Sequence, residues 1–149
     1  MLAGDTSRIA LDLEVEAFVD ARPQGRFLLW LTDTAIGDPE DRSVDLSGCV
    51  SWLRSLVDIP HDRTHHELFA SPRDEAFRRL TTPLDPATSG SDPASWDTYA
   101  RHHLSHVGMS SFDQVTLILV EDGEGSARFL WQQSDGEISE ATVPSTEVL

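Results

Sequence analysis

The spacing of apolar residues changes period twice along this 149-residue chain, and that change sets the fold class. Ile9, Leu11, Leu13 and Val15 alternate with Ala10, Asp12, Glu14 and Glu16. A period of two belongs to a strand with one buried face and its acids in water. Arg22-Pro23-Gln24-Gly25 is turn chemistry, and Arg26–Leu31 (RFLLWL) reads as a second, more apolar strand. The two are expected to pair as an antiparallel hairpin. Thr32–Arg42 follows as a loop, broken at Gly37-Asp38-Pro39.

From Asp45 to Val57 the period becomes helical. Leu46, Cys49, Val50, Leu53, Leu56 and Val57 share one face, with Ser47, Ser51, Arg54 and Ser55 opposite. Asp45 is a good N-cap and Pro60 stops the helix. Ser71-Pro72-Arg73-Asp74-Glu75 opens a second helix running to about Leu80, with Ser71 as cap and Pro72 in the first position. Thr82–Asp92 is a Pro/Ser/Thr/Gly loop. Asp92-Pro93 opens a third helix over Ala94–Val107, closed by Gly108. The period then returns to two: Phe112–Glu121, a turn at Asp122-Gly123-Glu124-Gly125, Ala127–Gln133, and a last strand over Glu137–Val143. Strands, then helices, then strands predict an α+β fold. It is an antiparallel sheet from N-terminal and C-terminal hairpins with about three helices on one face. Whether the two hairpins share one sheet stays open. The length suits one domain over 1–149, with a frayed tail from about Pro144.

Charge narrows the function classes. Acids number 26 against 11 basic residues, all of them arginine, for a net charge of −15. Such a surface repels phosphate, which argues against nucleic acid and anionic membranes as partners. It steers basic proteins in. No apolar run reaches the roughly 18 residues a membrane span needs. Met1-Leu2-Ala3-Gly4-Asp5 has neither a basic nor an apolar signal region. The lone cysteine, Cys49, permits no intrachain disulfide and suits a reducing compartment. A cytoplasmic protein is expected.

All six histidines fall in two clusters, HDRTHHE and RHHLSH. His61 and His65, and His102 and His106, are spaced i,i+4, which on a helix turns both imidazoles to one side. Asp62, Glu67 and Asp97 are near enough in sequence to complete a zinc shell. Yet Ala70 stands where a His-Glu-x-x-His motif needs its second histidine, and His65-x-Glu67 lacks the Pro-Cys-x-x-Cys of a zinc deaminase. On the third helix Trp96, Tyr99, Ala100, Leu104 and Val107 define the buried face, with His103 among them and His102 and His106 at its edge. That favours structural histidines, with no metal and no cofactor. The alternative is a metal-dependent hydrolase using His61, His65, His102 and His106. No Gly-x-Ser-x-Gly elbow and no P-loop occurs, Cys49 lies in an apolar stripe, and Asp122–Gly125 lacks calcium-loop spacing.

Candidate partner contacts are loop acids. Asp38, Glu40 and Asp41 lie on the first long loop, and Glu121, Asp122 and Glu124 at the tip of the second hairpin. Core packing is the ordinary role for the four tryptophans (Trp30, Trp52, Trp96 and Trp131); Trp52, at the margin of its helix's apolar arc, is the best candidate among them for partial exposure and an interface anchor.

Gly4-Asp5, Ile9-Ala10 entering a strand, Gly25-Arg26-Phe27, the tryptophan-bearing strand after it and Ile36-Gly37-Asp38 before a helix resemble the immunity protein 42 family of bacterial polymorphic toxin systems. The resemblance covers about residues 4–57. It implies a small cytosolic protein that binds and neutralises a cognate toxin domain, with no activity of its own. It assigns no toxin-contacting residue. A non-catalytic inhibitor of a toxin with a basic active face agrees with the acidic charge; a regulatory binding subunit is the other binding alternative.

Overall fold

β1 (Leu2–Asp5), β2 (Ile9–Val19) and β3 (Arg22–Leu31) pair antiparallel in sequence order. The register sets Ile9 opposite Leu31, Leu11 opposite Leu29 and Leu13 opposite Phe27, so the alternating apolar residues share one face. The acids take the other face, where Arg26 lies 3.0 Å from Asp12 and 3.2 Å from Glu14. The computed structural model describes residues 1–58, 63–84, 92–105, 109–134 and 136–148, the side chains of 55–58 excepted. His61, Asp62, His106, Val107 and Gly108, and the side chains of Leu56 and Val57, lie outside it.

The hairpin turn is at Asp20-Ala21, not at Arg22–Gly25. Both residues have positive φ, 49° and 65°, the two-residue geometry that follows strand twist. Pro23 lies inside β3 opposite Phe18, close to the turn. Gly25 sits at a bulge where pairing slips between Val15 and Ala17, and a Cβ there would lie 1.8 Å from the Glu14 carbonyl oxygen. Gly25 therefore serves close backbone approach, not a turn. The hairpin runs well beyond the core, leaving Phe18 71% and Val15 55% exposed. A second tight turn, Thr32-Asp33, leads into β4 (Thr34–Ile36), and β5 (Val44–Asp45) pairs with Gln24 and Gly25. Part of the expected loop over 32–42 is thus sheet.

α1 (Leu46–Asp58) starts where the capping chemistry places it: Asp45 Oδ1 accepts the Ser47 N–H at 2.9 Å. Its buried face includes Leu46, Cys49 and Trp52. Trp52 is only 5% exposed, which corrects the expectation of a surface anchor, and Val50 is 47% exposed instead. The reason is the partner. Phe27 meets the Trp52 ring edge-on at 5.9 Å and Phe112 lies 6.3 Å from it, so the helix is rolled toward an aromatic cluster.

α2 (His66–Ala70) was not expected. Ser71 closes it, donating its hydroxyl to the Glu67 carbonyl at 2.7 Å, so it does not cap α3 (Arg73–Thr81), which Pro72 precedes. α4 (Pro93–His102) begins as expected, with Asp92 Oδ1 accepting the Ala94 N–H at 3.1 Å. It ends short of Val107 because the chain is captured by sheet pairing. His103 bridges to Ile118, and the Leu104 N–H donates to the Leu117 carbonyl at 2.8 Å. Ala100 is exposed and Trp96 is 43% exposed, so the buried face of α4 is narrower than the wheel suggests.

β6 (Val115–Glu121), β7 (Ser126–Gln133) and β8 (Ser139–Pro144) form a second antiparallel sheet, so the two hairpins lie in separate sheets. This second sheet is covered on both faces. Leu117, Leu119, Phe129 and Trp131 pack with Phe27, Leu29 and Trp52 of the first sheet and α1. Ile118, Val120 and Leu130 pack with Leu68, Phe77, Leu80 and Tyr99 of α2, α3 and α4. The α+β class holds, with α2–α4 on one face and α1 on the opposite side. The segment after Pro144 is docked, not frayed: Ser145–Glu147 forms a 3₁₀ turn, Glu147 pairs with Arg8, and Val148 packs on the first core.

Candidate partner-binding site

The acidic candidates fall at two separate places. The Asp38 N–H donates to the Ser111 carbonyl at 2.8 Å, which fixes the first loop beside the start of β6. Glu121, Asp122 and Glu124 lie at the other end of that strand, about 20 Å away at the usual rise per residue. They do not form one patch.

Most of the aspartate side chains are committed to turns. Asp38 Oδ1 accepts the Glu40 N–H at 2.8 Å. Asp41 Oδ1 accepts the Ser43 N–H at 2.9 Å and the Ser43 hydroxyl at 2.8 Å, and its other oxygen accepts from Ser110. Burial pushes the Asp41 carboxyl up, but the hydrogen bonds from Ser110 and Ser43 outweigh it and hold the group below the ordinary range. Asp122 is held low by the Ser126 N–H at 2.9 Å, helped by the Glu124 N–H at 2.7 Å. Glu121 ties its backbone to the Arg63 carbonyl and the His65 N–H, both at 3.0 Å. Glu40 and Glu124 are the exposed glutamates of the two groups. Trp52, buried, presents no surface for a partner.

The helical premise of the metal alternative fails for the described histidines. His65 is the N-cap of α2, its Nδ1 accepting the Leu68 N–H at 3.3 Å. α4 ends at His102, and residue 106 lies outside the described residues. The fold does bring His65 and His102 together across the two clusters, ring centroids 6.4 Å apart. His102 is buried, and its Nδ1 donates to the Leu119 carbonyl at 2.8 Å. Burial pushes its pKa down, and the nearby charges of His65, Arg63 and Arg101 push the same way against the Leu119 bond. The charges of Arg63 and Arg101 beside His102 disfavour a cation there. Among the described residues no three His, Cys, Asp or Glu side chains gather as a metal site would require.

Sequence reasoning passed over two features. Arg63 is buried with its Nε unbonded; burial pushes its pKa down, and the charge of Glu121 pulls the other way. Nothing local in the sequence signals that. The outer hairpin residues Phe18 and Val19 were legible in principle, since the apolar run continues past Glu16 into Ala17-Phe18-Val19. Among the described residues no helix is long and apolar enough to cross a membrane.

Two antiparallel sheets with helices on the outer face of the second define an α+β protein whose fold has a solved parallel. The crystal structure of CdiI from Burkholderia dolosa AUO158 is similar with a TM-score of 0.77 at 19% identity, covering 97% of this chain and 90% of that one. The chain belongs to the immunity protein 42 family, whose model matches residues 1–149. Comparison with curated proteins gives no match.

Proposed function

We propose that this chain is an immunity protein acting in the cytoplasm. Residues 1–149 form one domain that binds a cognate toxin domain and blocks it by occlusion, without catalysis. The observation that carries the reading is the match of the immunity family model over the whole chain. The fold shared with a CdiI supports it. The net charge of −15 supports a toxin with a basic active face, because opposite charges raise the rate of encounter. Neither nucleic acid nor a membrane is a partner in this reading.

Asp38, Glu40 and Asp41 act as an acidic rim of the interface. Glu121, Asp122 and Glu124, at the far end of β6, contribute through the long-range field. Charges of this kind act mainly on association, and buried anchors on dissociation.

The test is co-expression with the toxin domain encoded beside this gene, together with binding kinetics at two salt concentrations. Rescue of growth and a complex at nanomolar to micromolar concentration are expected. Reversing Asp38, Glu40 and Glu124 to arginine should slow association and flatten its salt dependence more than it changes k_off. A toxin that stays lethal, with no complex at micromolar concentration, would refute the immunity function. Rescue with salt-independent association would leave inhibition standing and remove the basic face.

A further inference from the structure

The hairpin of β2 and β3 extends past the rest of its sheet. β1 covers β2 only from Ile9 to Asp12, with Met1 reaching Leu13, and on the other edge β4 covers β3 from Leu29 to Leu31 and β5 only at Gln24 and Gly25. From Leu13 to the turn at Asp20-Ala21 the arm runs about 20 Å. The pairing register decides what each face carries. Leu13 pairs with Phe27 on the face that meets α1. Past the bulge that face continues as Val15 opposite Gly25 and Phe18 opposite Pro23. It emerges from the core as a bare apolar strip, with Val15 and Phe18 exposed and the exposed Val50 of α1 standing one turn from Leu53, which packs on that core. The opposite face is ionic: Arg42 reaches Glu14 at 3.2 Å and Glu16 at 2.7 Å.

An aromatic side chain held in water beside a tight two-residue turn leaves uncollected the burial energy that the rest of the core uses. Phe18 has the size and the preorganisation of an interface anchor. The surrounding charge decides between occupants. Residues 12–26 and 38–45, the arm and the loop along its edge, hold eight carboxylates against three arginines. A second copy of this chain carries the same net charge of −15 and would be repelled. A partner with an apolar centre and a basic rim would be attracted.

We infer that the cognate toxin domain docks on the apolar face of the β2–β3 arm, with Phe18 as the anchor and Val15 and Pro23 beside it. This rests on the immunity function and names its surface. The acids of the first loop then edge the same interface, while those at Glu121–Glu124 lie away from it.

The experiment measures binding of the neighbouring toxin domain to wild type, Phe18→Ser, Val15→Thr/Phe18→Ser and, as a control, Leu84→Ser, an exposed apolar residue outside the arm. Melting curves and sedimentation accompany each protein. Phe18→Ser is expected to weaken binding at least about 30-fold, mainly through k_off, and the double variant further. The melting temperature should stay unchanged, because both side chains already lie in water. Leu84→Ser should bind as wild type does. If wild type binds and both arm variants bind within about twofold of it, this surface is wrong and the immunity function stands. If wild type neither binds nor protects, the immunity function fails and takes this surface with it. If wild type sediments as a dimer that Phe18→Ser converts to monomer, the strip is a self-contact and the inference is overturned.

Discussion

Replacing Arg128 by methionine should destabilise the protein by about 3–5 kcal/mol, and the reason is that one guanidinium serves three elements at once. Arg128 is buried on β7. Its Nη1 donates to the carbonyls of Phe69 and Ser71, both at 2.7 Å, and reaches that of Leu68 at 3.5 Å. Its Nε and Nη2 donate to Glu140 Oε2 on β8 at 2.9 and 2.5 Å. α2 has five residues; Ser71 bonds its Glu67 and Leu68 carbonyls, and Arg128 takes that of Phe69. Methionine keeps the apolar stem and removes every donor. Two charge-assisted bonds to partly buried carbonyls are worth roughly 1.5–3 kcal/mol each. The Glu140 carboxylate is partly exposed, so its share is discounted to about 1 kcal/mol or less. Urea unfolding measures the difference directly, and the melting temperature should fall by about 10 °C or more for a chain of this length. Arg128→Lys keeps the charge without the fork and should lose about half as much, whereas Glu140→Gln should lose about 1 kcal/mol or less. If Arg128→Met lies within about 1 kcal/mol of wild type, or the lysine variant equals wild type, the staple has been misjudged.

Three further outcomes are expected. Burial pushes the Cys49 thiol up to about 12 from 9.0, so a thiol reagent at pH 8 should label it only on unfolding, and rapid native labelling would show that α1 faces another way. The unfolded thiol ionises near 9 while the folded one stays neutral, so this contribution is complete below about pH 9 and is lost as the pH rises toward 12. His102 has the opposite sign: its lowered pKa means stability is present above its ordinary value and falls as the pH drops below about 6.5, and His102→Asn should flatten urea midpoints measured between pH 7.5 and 5. Trp52→Ala should cost about 3–5 kcal/mol of folding stability by opening a cavity against Phe27 and Phe112; an unchanged urea midpoint would contradict its burial.

The legible part of the fold was the part carried by local chemistry. The period of two over Ile9–Val15, Asp45 before α1, Asp92-Pro93 before α4 and the Asp122–Gly125 turn each act within a few residues, through pleat, caps and turn geometry. The misplaced turn shows the limit of that reading. Pro23 and Gly25 are turn residues by composition, but Asp20-Ala21 takes the turn because only that register keeps Leu11 with Leu29 and Leu13 with Phe27. The candidate site was legible in type and not in arrangement. A list of acids on loops cannot reveal that β6 separates them or that Asp38, Asp41 and Asp122 are tied into their own turns.

By itself, then, the sequence determined the α+β class, the starts of α1 and α4, the net charge of −15, and a stretch resembling an immunity family. Tertiary structure alone decided four other things. It rolled Trp52 inward, since a wheel shows which residues share a face and not what that face meets. It ended α4 at His102, because pairing with β6 outcompetes another helical turn. It set the two hairpins in separate sheets, burying the C-terminal one on both faces. And it left Phe18 in water, because the β2–β3 register carries the apolar face beyond the last residue able to cover it. Each depends on contacts between residues far apart in sequence, where packing outweighs local preference.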